Sequence, residues 1–203
     1  MSLGIAESTV VRHFGELREV CVNKCSFNEK KIGGEGHEVE LDVTKIFHIK
    51  YNQGRLLFGE KTKSWVIGGI DRSTNMFFAE LVESRSSEVI EQFITKRVKP
   101  KTRLLTDQWR AYLCLRKLDY TVEQVNHSLN FLNPGDPTIN TQKIERTWRS
   151  LKQYLPKTAH GKGRSIYIEE IVYRKSYLTK NTGLNFKTVI NDIAEFYSGC
   201  FLD

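Results

Sequence analysis

Apolar residues recur along this chain in two rhythms, one of helices and one of strands. Between residues 8 and 24, Val10, Val11, Phe14, Leu17, Val20 and Cys21 fall at helical spacing. Gly33, Gly34 and Gly36 then break the pattern. Beyond them Val39, Leu41 and Val43 alternate with Glu38, Glu40 and Asp42, which predicts a strand. Trp65 to Ile70 and Met76 to Val82 predict two more, with Asp71 to Asn75 as the turn between them. Ser86 and Ser87 cap a helix expected to reach Val98, with Val89, Ile90, Phe93 and Ile94 inward. Thr102 to Thr106 predicts a strand, Trp109 to Leu118 a helix and Thr121 to Val125 a fifth strand. The prolines and glycine of Asn133 to Pro137 mark a loop before a helix from Thr141 to Tyr154. Gly161 and Gly163 are expected in a basic loop, followed by helices near Ile168 to Leu178 and Phe186 to Tyr197.

This order defines an α/β fold. The first three strands have short links and are expected to be antiparallel. The later ones are separated by helices and are expected to be parallel. The result is a mixed five-stranded sheet with helices on both faces. Residues 1–35 form a helical lead-in, 36–157 the main domain, and 158–203 a basic loop with terminal helices.

Charge adds a partner class. Lys and Arg number 31 against 24 Asp and Glu, giving a formal net charge of +7 and a pI of about 9.2. That balance suits a polyanion such as nucleic acid. No apolar run approaches the roughly 20 residues that span a bilayer, and the first residues do not read as a secretory signal. No membrane partner is expected. Cys21 and Cys25 have half of a zinc-site spacing without a second pair, so they, Cys114 and Cys200 are expected as free thiols.

Three carboxylates stand out. Asp42 lies within an apolar strand, on the face shared with Glu40; the pattern allows either a solvated strand face or a ligand. Asp107 ends a strand, where ligands of parallel sheets collect and where helix caps also occur. Glu145 shares a helix face with Trp148, Arg149 and Lys152, an arrangement open to an ordinary surface pair with Arg149 or to a metal ligand beside phosphate-gripping cations. Together they have the chemistry of phosphodiester transfer, in which two Mg²⁺ ions about 4 Å apart activate the attacking oxygen and stabilise the leaving one.

Six segments in order resemble the catalytic domain of Merlin-type DDE transposases and their bacterial insertion-sequence relatives. They are VELDVTK (39–45), KYNQGR (50–55), WVIGGIDR (65–72), LLTDQWRAY (104–112), VNHSLNF (125–131) and INTQKIERTWRSLK (139–152). The spacings, 65 positions from Asp42 to Asp107 and 38 from Asp107 to Glu145, are similar to those of the family. The resemblance implies a ribonuclease H-like fold over 36–157. It implies Asp42, Asp107 and Glu145 as catalytic and metal-binding residues holding Mg²⁺ or Mn²⁺, with two ions expected. It implies double-stranded DNA as partner, both transposon ends and target, and a homodimer or larger synaptic assembly. The eukaryotic flavour of VNHSLNF and TQKIERTW implies a nuclear location. Family members usually carry an acidic residue after the first Asp, where this chain has Val43; the expectation is weakened metal binding. No helix-turn-helix or complete zinc module is legible before Gly33.

Further DNA-binding candidates are Trp109, by stacking on an unpaired base or else as a core aromatic, and His127, near the metals or else structural. Arg149, Lys152, Lys157, Lys162 and Arg164 are candidate phosphate contacts, the last three in the basic loop with His160. The function expected is metal-dependent DNA cleavage and strand transfer by a cut-and-paste transposase. The alternatives are a host-adopted or decayed copy that binds DNA without catalysis, a stand-alone nuclease of the same fold, and a basic adaptor unrelated to either.

Overall fold

The alternating segment around Leu41 becomes the central strand of a five-stranded sheet. A computed structural model of the chain describes residues 4–27, 31–46, 65–125, 138–156, 162–178 and 182–199. The strands are β1 (Glu38–Lys45), β2 (Trp65–Asp71), β3 (Phe77–Val82), β4 (Arg103–Asp107) and β5 (Thr121–Val125). They lie in the order β3-β2-β1-β4-β5. β1 pairs antiparallel with β2, and β2 with β3, through short links. β4 and β5 follow helical connections and run parallel to β1 and to each other. This is the mixed sheet expected, in the ribonuclease H-like arrangement.

The helices are α1 (Glu7–Phe27), α2 (Ser87–Arg97), α3 (Gln142–Tyr154), α4 (Lys162–Tyr177) and α5 (Thr182–Gly199). α2 starts where the serines placed it, with the Ser86 hydroxyl accepting from the Val89 N–H. It covers one face of the sheet, packing Ile90, Phe93 and Ile94 against Val39, Leu41, Ile67 and Leu104. α3 and α4 cover the other, where Ile144, Trp148, Leu151, Ile168 and Ile171 meet Val66, Ile70 and Phe77. α1 docks through polar pairs, Arg18 Nε to Glu170 at 3.0 Å on α4 and Lys24 Nζ to Asp192 at 2.9 Å on α5. Val11 and Phe14 stay exposed.

One expectation is refined and one corrected. The helix expected over Trp109 to Leu118 is a 3-10 helix, Arg110–Lys117, with Trp109 as its leading residue. Tyr112 and Leu115, three apart, are both fully buried, and a three-residue turn stacks i and i+3 on one side. Gly161 lies outside the described residues, and Gly163, expected in a basic loop, lies in the first turn of α4. Arg164, Ile168 and Ile171 recur at i, i+4 and i+7 on its buried side, and the charge at the first of these positions concealed the period.

The turn after β2 is built around Asp71, which is almost wholly buried. Its Oδ1 accepts from the Ser73 N–H and hydroxyl and the Thr74 N–H, at 2.6–3.1 Å. Its Oδ2 accepts from Gly33 N–H and faces His37 Nδ1 at 2.8 Å. Burial pushes this carboxyl up, but the Ser73, Thr74 and His37 hydrogen bonds outweigh it and hold the group down at about 2. A carboxylate held below its unfolded value of about 3.9 stabilises the fold above that pH, and the contribution is lost as pH falls towards 2. Urea titrations from pH 6 to pH 2 should therefore show Asp71→Asn less stable by about 2 kcal/mol at neutral pH, with the gap closing on acidification. A gap independent of pH would show that the bonds to Asp71 do not require its charge.

Candidate active site

The parallel pairing of β1 with β4 sets the first two carboxylates side by side. Glu38 is level with Arg103, and Glu40 with Leu105. Two residues further along each strand come Asp42 and Asp107, at the same level and on the same face. Adjacent strands lie about 4.8 Å apart, so the two side chains share one region at the carboxyl edge of the sheet.

α3 delivers Glu145 to that face. Glu40, 1% exposed, points up from β1 and caps the helix. Its Oε2 accepts from the Lys143 and Ile144 backbone N–H groups at 2.8 and 2.9 Å. Its Oε1 takes the Nε–H of Arg72 at 2.7 Å. The same guanidinium donates to Glu38 and to the carbonyls of Thr138 and Asn140, tying down the approach to α3. Lys143 Nζ donates to the Arg72 carbonyl at 2.9 Å. Glu145 is thereby held in the first turn of α3, exposed, with its Oε1 accepting from the Thr141 hydroxyl at 3.0 Å.

Trp148, one turn on, is 4% exposed and belongs to the core. Its indole N–H donates to Asp42 Oδ2 at 2.8 Å, while Asp42 Oδ1 accepts the Val43 N–H, also at 2.8 Å. The ring lies over Gly68, the residue that pairs with Asp42; a Cβ there would stand 2.6 Å from the ring and from the Phe78 carbonyl oxygen. Asp107 Oδ1 accepts the Trp109 N–H at 3.1 Å, so it also serves the local turn.

Asp42 titrates at about 6. Burial raises it most, and the negative charges of Asp107 and Glu145 add to that, while the Val43 and Trp148 hydrogen bonds oppose it. The charges of Asp107 and Glu145 are therefore felt at Asp42. Tyr112 is fully buried beside them; among the described residues its hydroxyl has no hydrogen-bond partner, and it is raised by burial and by the charges of Asp42 and Asp107. Among the described residues, no group of three His, Cys, Asp or Glu side chains stands close enough together to hold a metal ion. The donor set nonetheless fits a hard divalent cation. Mutually repelling carboxylates gain from a shared positive charge, and an orphaned hydroxyl beneath them gains an acceptor when a carboxylate or water reorganises.

The remaining candidates divide. Lys152 extends over the same face, with Nζ donating to Thr44 Oγ1 at 2.7 Å, and Arg149 is exposed on α3. Trp109 is half-buried, edge-on to Tyr112. Arg164 is 8% exposed inside α4, which removes it from the solvated loop assigned to it. Lys162 opens that helix rather than sitting in a loop; its side chain, His127 and Lys157 lie outside the described residues. Val43 packs against the α2 side of the sheet, opposite Asp42, so a side chain at this position does not line the carboxylate face. Cys21 and Cys25 are free thiols pushed up to about 12 by burial, and Cys114 is also free.

Glu40, Arg72 and Tyr112 went unread as site residues. Glu40 carried a signal, since it shares the face of Asp42 in a strand too apolar to leave a carboxylate unpartnered. Arg72 and Tyr112 lie within the recognisable segments, but the sequence does not say what they touch.

The strand order and directions are those of a ribonuclease H-like fold. More narrowly, the chain belongs to the ISXO2-like transposase domain family, whose model matches residues 32–176. It is similar to a chain in the cryoEM structure of the simian T-cell lymphotropic virus intasome in complex with PP2A regulatory subunit B56 gamma. That similarity has 14% identity and a TM-score of 0.44, covering 75% of this chain and 52% of that one. It is also similar to the catalytic core domain of BIV integrase, at 12% identity and a TM-score of 0.42, covering 78% of this chain and 97% of that one. The chain thus spans about half the length of the first of these. No curated protein sequence matches it.

If Glu40 holds the start of α3, Glu40→Gln should cost about 2 kcal/mol, since a charge-assisted acceptor is lost and Arg72 keeps only Glu38 of its two ion-pair partners. Hydrogen exchange should quicken at the amides of residues 143–145 well before those of β4. A uniform increase over the whole sheet would contradict a local cap.

Proposed function

We propose that this chain is the catalytic domain of a DNA transposase that cleaves DNA strands and joins the resulting 3′ ends to target DNA, with Asp42, Asp107 and Glu145 as the catalytic carboxylates. The observation that carries this reading is the parallel pairing of Glu40 with Leu105: continued two residues along both strands, that register brings Asp42 and Asp107 to one level on the face that α3 covers. Membership of the transposase domain family supports it.

Asp42, Asp107 and Glu145 would hold Mg²⁺ or Mn²⁺, in two sites. Bound there, the ions supply Lewis-acid activation of the attacking oxygen and charge stabilisation of the leaving one. The protein's own groups orient and exclude. Trp148 and the Val43 N–H hold the Asp42 carboxylate on its two oxygens, and the Trp148 ring closes the site against the sheet. Lys152 and Arg149 offer positive charge on the same face for a phosphodiester, and Trp109 offers a half-buried ring at the end of β4. His127, Lys157 and Lys162 extend the proposed DNA contacts. The partners are transposon ends, target DNA and a second copy of the chain, and in a eukaryotic cell the work is done in the nucleus. Residues 36–157 are the proposed catalytic unit, with 1–35 and 158–203 as appendages.

One observation favours a second reading, a DNA-binding protein without catalysis: among the described residues the three carboxylates do not already stand as a metal cluster. The two are separated by activity and by binding. With Mg²⁺ or Mn²⁺ the protein should nick supercoiled plasmid and join oligonucleotide ends, and Asp107→Asn should slow this about a hundredfold or more. Calorimetry should show Mn²⁺ binding that Asp107→Asn abolishes. Activity unchanged in Asp107→Asn would refute the assignment, and absence of carboxylate-dependent Mn²⁺ binding would favour the second reading.

A further inference from the structure

The edge that carries the carboxylates also carries an arginine held between two indoles. β1, β3, β4 and β5 all run in one direction, since β3 is antiparallel to β2 and β2 to β1. Their carboxyl ends, with the start of β2, therefore collect at one rim. Lys45 ends β1 there and Trp65 begins β2, paired with each other. Three residues past the end of β3 comes Arg85, and two past Asp107 comes Trp109. The Arg85 guanidinium lies 4.4 Å from the ring centre of Trp65 and 4.8 Å from that of Trp109. Lys45 Nζ lies 5.7 Å from the Trp65 ring.

Arg85 is exposed, and no carboxylate or carbonyl accepts from it among the described residues. An exposed arginine normally pays rotamer entropy to bind anything. Here two aromatic rings already hold the guanidinium, and a ring face takes up its charge without using its N–H donors as a carboxylate would. Asp42, Asp107 and Glu145 make the rest of this rim acidic, so a cation fixed beside them is a recognition element for an anion that must come close to them. Its charge is felt at the Tyr112 hydroxyl together with those of Asp42 and Asp107, which sets it next to the cluster. Trp65 belongs to the α2 side of the sheet and the carboxylates to the α3 side, so Arg85 and Lys152 flank the rim from opposite faces.

From this the geometry points to Arg85, clamped between Trp65 and Trp109, as a binding site for a backbone phosphate of the DNA strand that crosses the carboxylate edge. This rests on the reading of the chain as a DNA transposase.

The test is binding of a short duplex oligonucleotide in Ca²⁺ by fluorescence anisotropy over a range of salt concentrations. Arg85→Ala should weaken binding about tenfold and flatten the dependence of log K on log[salt] by about 0.9, the loss of one phosphate contact. Arg85→Lys keeps the charge but not the planar fork, and should recover the slope without the full affinity. Arg116→Ala, an exposed arginine near the opposite end of the 3-10 helix, should do neither. Wild-type affinity and slope in Arg85→Ala, or a loss no larger than in Arg116→Ala, would overturn the inference while leaving the transposase reading standing. Failure of the wild-type protein to bind duplex DNA at all would overturn both. Should Arg85→Ala not fold, Arg85→Lys decides: full wild-type affinity in that variant refutes a role for the clamped fork.

Discussion

A buried carboxylate on the central strand holds the start of one helix, and the geometry of the acidic edge follows from it. Glu40 has no solvent to satisfy it. Its two oxygens are met by three donors, two backbone N–H groups of α3 and the Nε–H of Arg72. A helix start has unsatisfied donors and a partial positive charge, and Glu40 answers both in a place where water cannot. Because Glu40 sits two residues from Asp42 on one strand face, the bond that fixes α3 also sets the distance between Asp42 and a glutamate in the first turn of that helix. Arg72 extends the same constraint to the β2–β3 turn and to the residues that lead into α3. β1, the turn and α3 are thereby one polar unit, and the apolar packing of Ile144, Trp148 and Leu151 continues from it.

The acidic edge stores electrostatic tension that the fold leaves unrelieved. Asp42 is raised to about 6 in spite of two hydrogen bonds to its carboxylate, because it is buried and has Asp107 and Glu145 as neighbours. Below it the Tyr112 hydroxyl is buried without an acceptor among the described residues. Structural carboxylates elsewhere in this chain are treated differently: Asp71 is surrounded by donors and held down at about 2, and Glu170 receives Arg18, Arg174 and the Tyr154 hydroxyl. The contrast marks the rim as a place where unfavourable charge has a use, and its cations, Lys152 on one side and Arg85 on the other, are what a polyanion requires to approach it.

Much of this was legible before any coordinates. Strand alternation around Leu41, the serine cap at Ser86 and the turn at Asp71 are local, and local physics is written in neighbouring residues. The first turns of α4, before Ile168, were read as loop because their first inward position is an arginine, and a charged residue breaks an apolar period even when it is buried. The helix between β4 and β5 was legible but its 3-10 winding was not, because Tyr112 and Leu115 fit a three-residue turn and a wider one equally well until the span between β4 and β5 is known. For the site, the chain yielded three acidic positions with ambiguous alternatives. In the folded chain Asp42 lies on the face covered by α3, where Trp148 donates to it, and Asp107 accepts an N–H of its own turn.

The sequence by itself determined which stretches become strands and helices and which residue types stand at the strand ends, because hydrophobic period, caps and turn chemistry act over a few residues. It also carried the family likeness, which is a matter of order and spacing. The tertiary structure decided that Glu40 is a helix cap, that Trp148 serves Asp42 across Gly68, and that Arg85 lies between Trp65 and Trp109. Each of these joins residues tens of positions apart through the register of paired strands, and a register is an agreement between segments that neither segment contains alone.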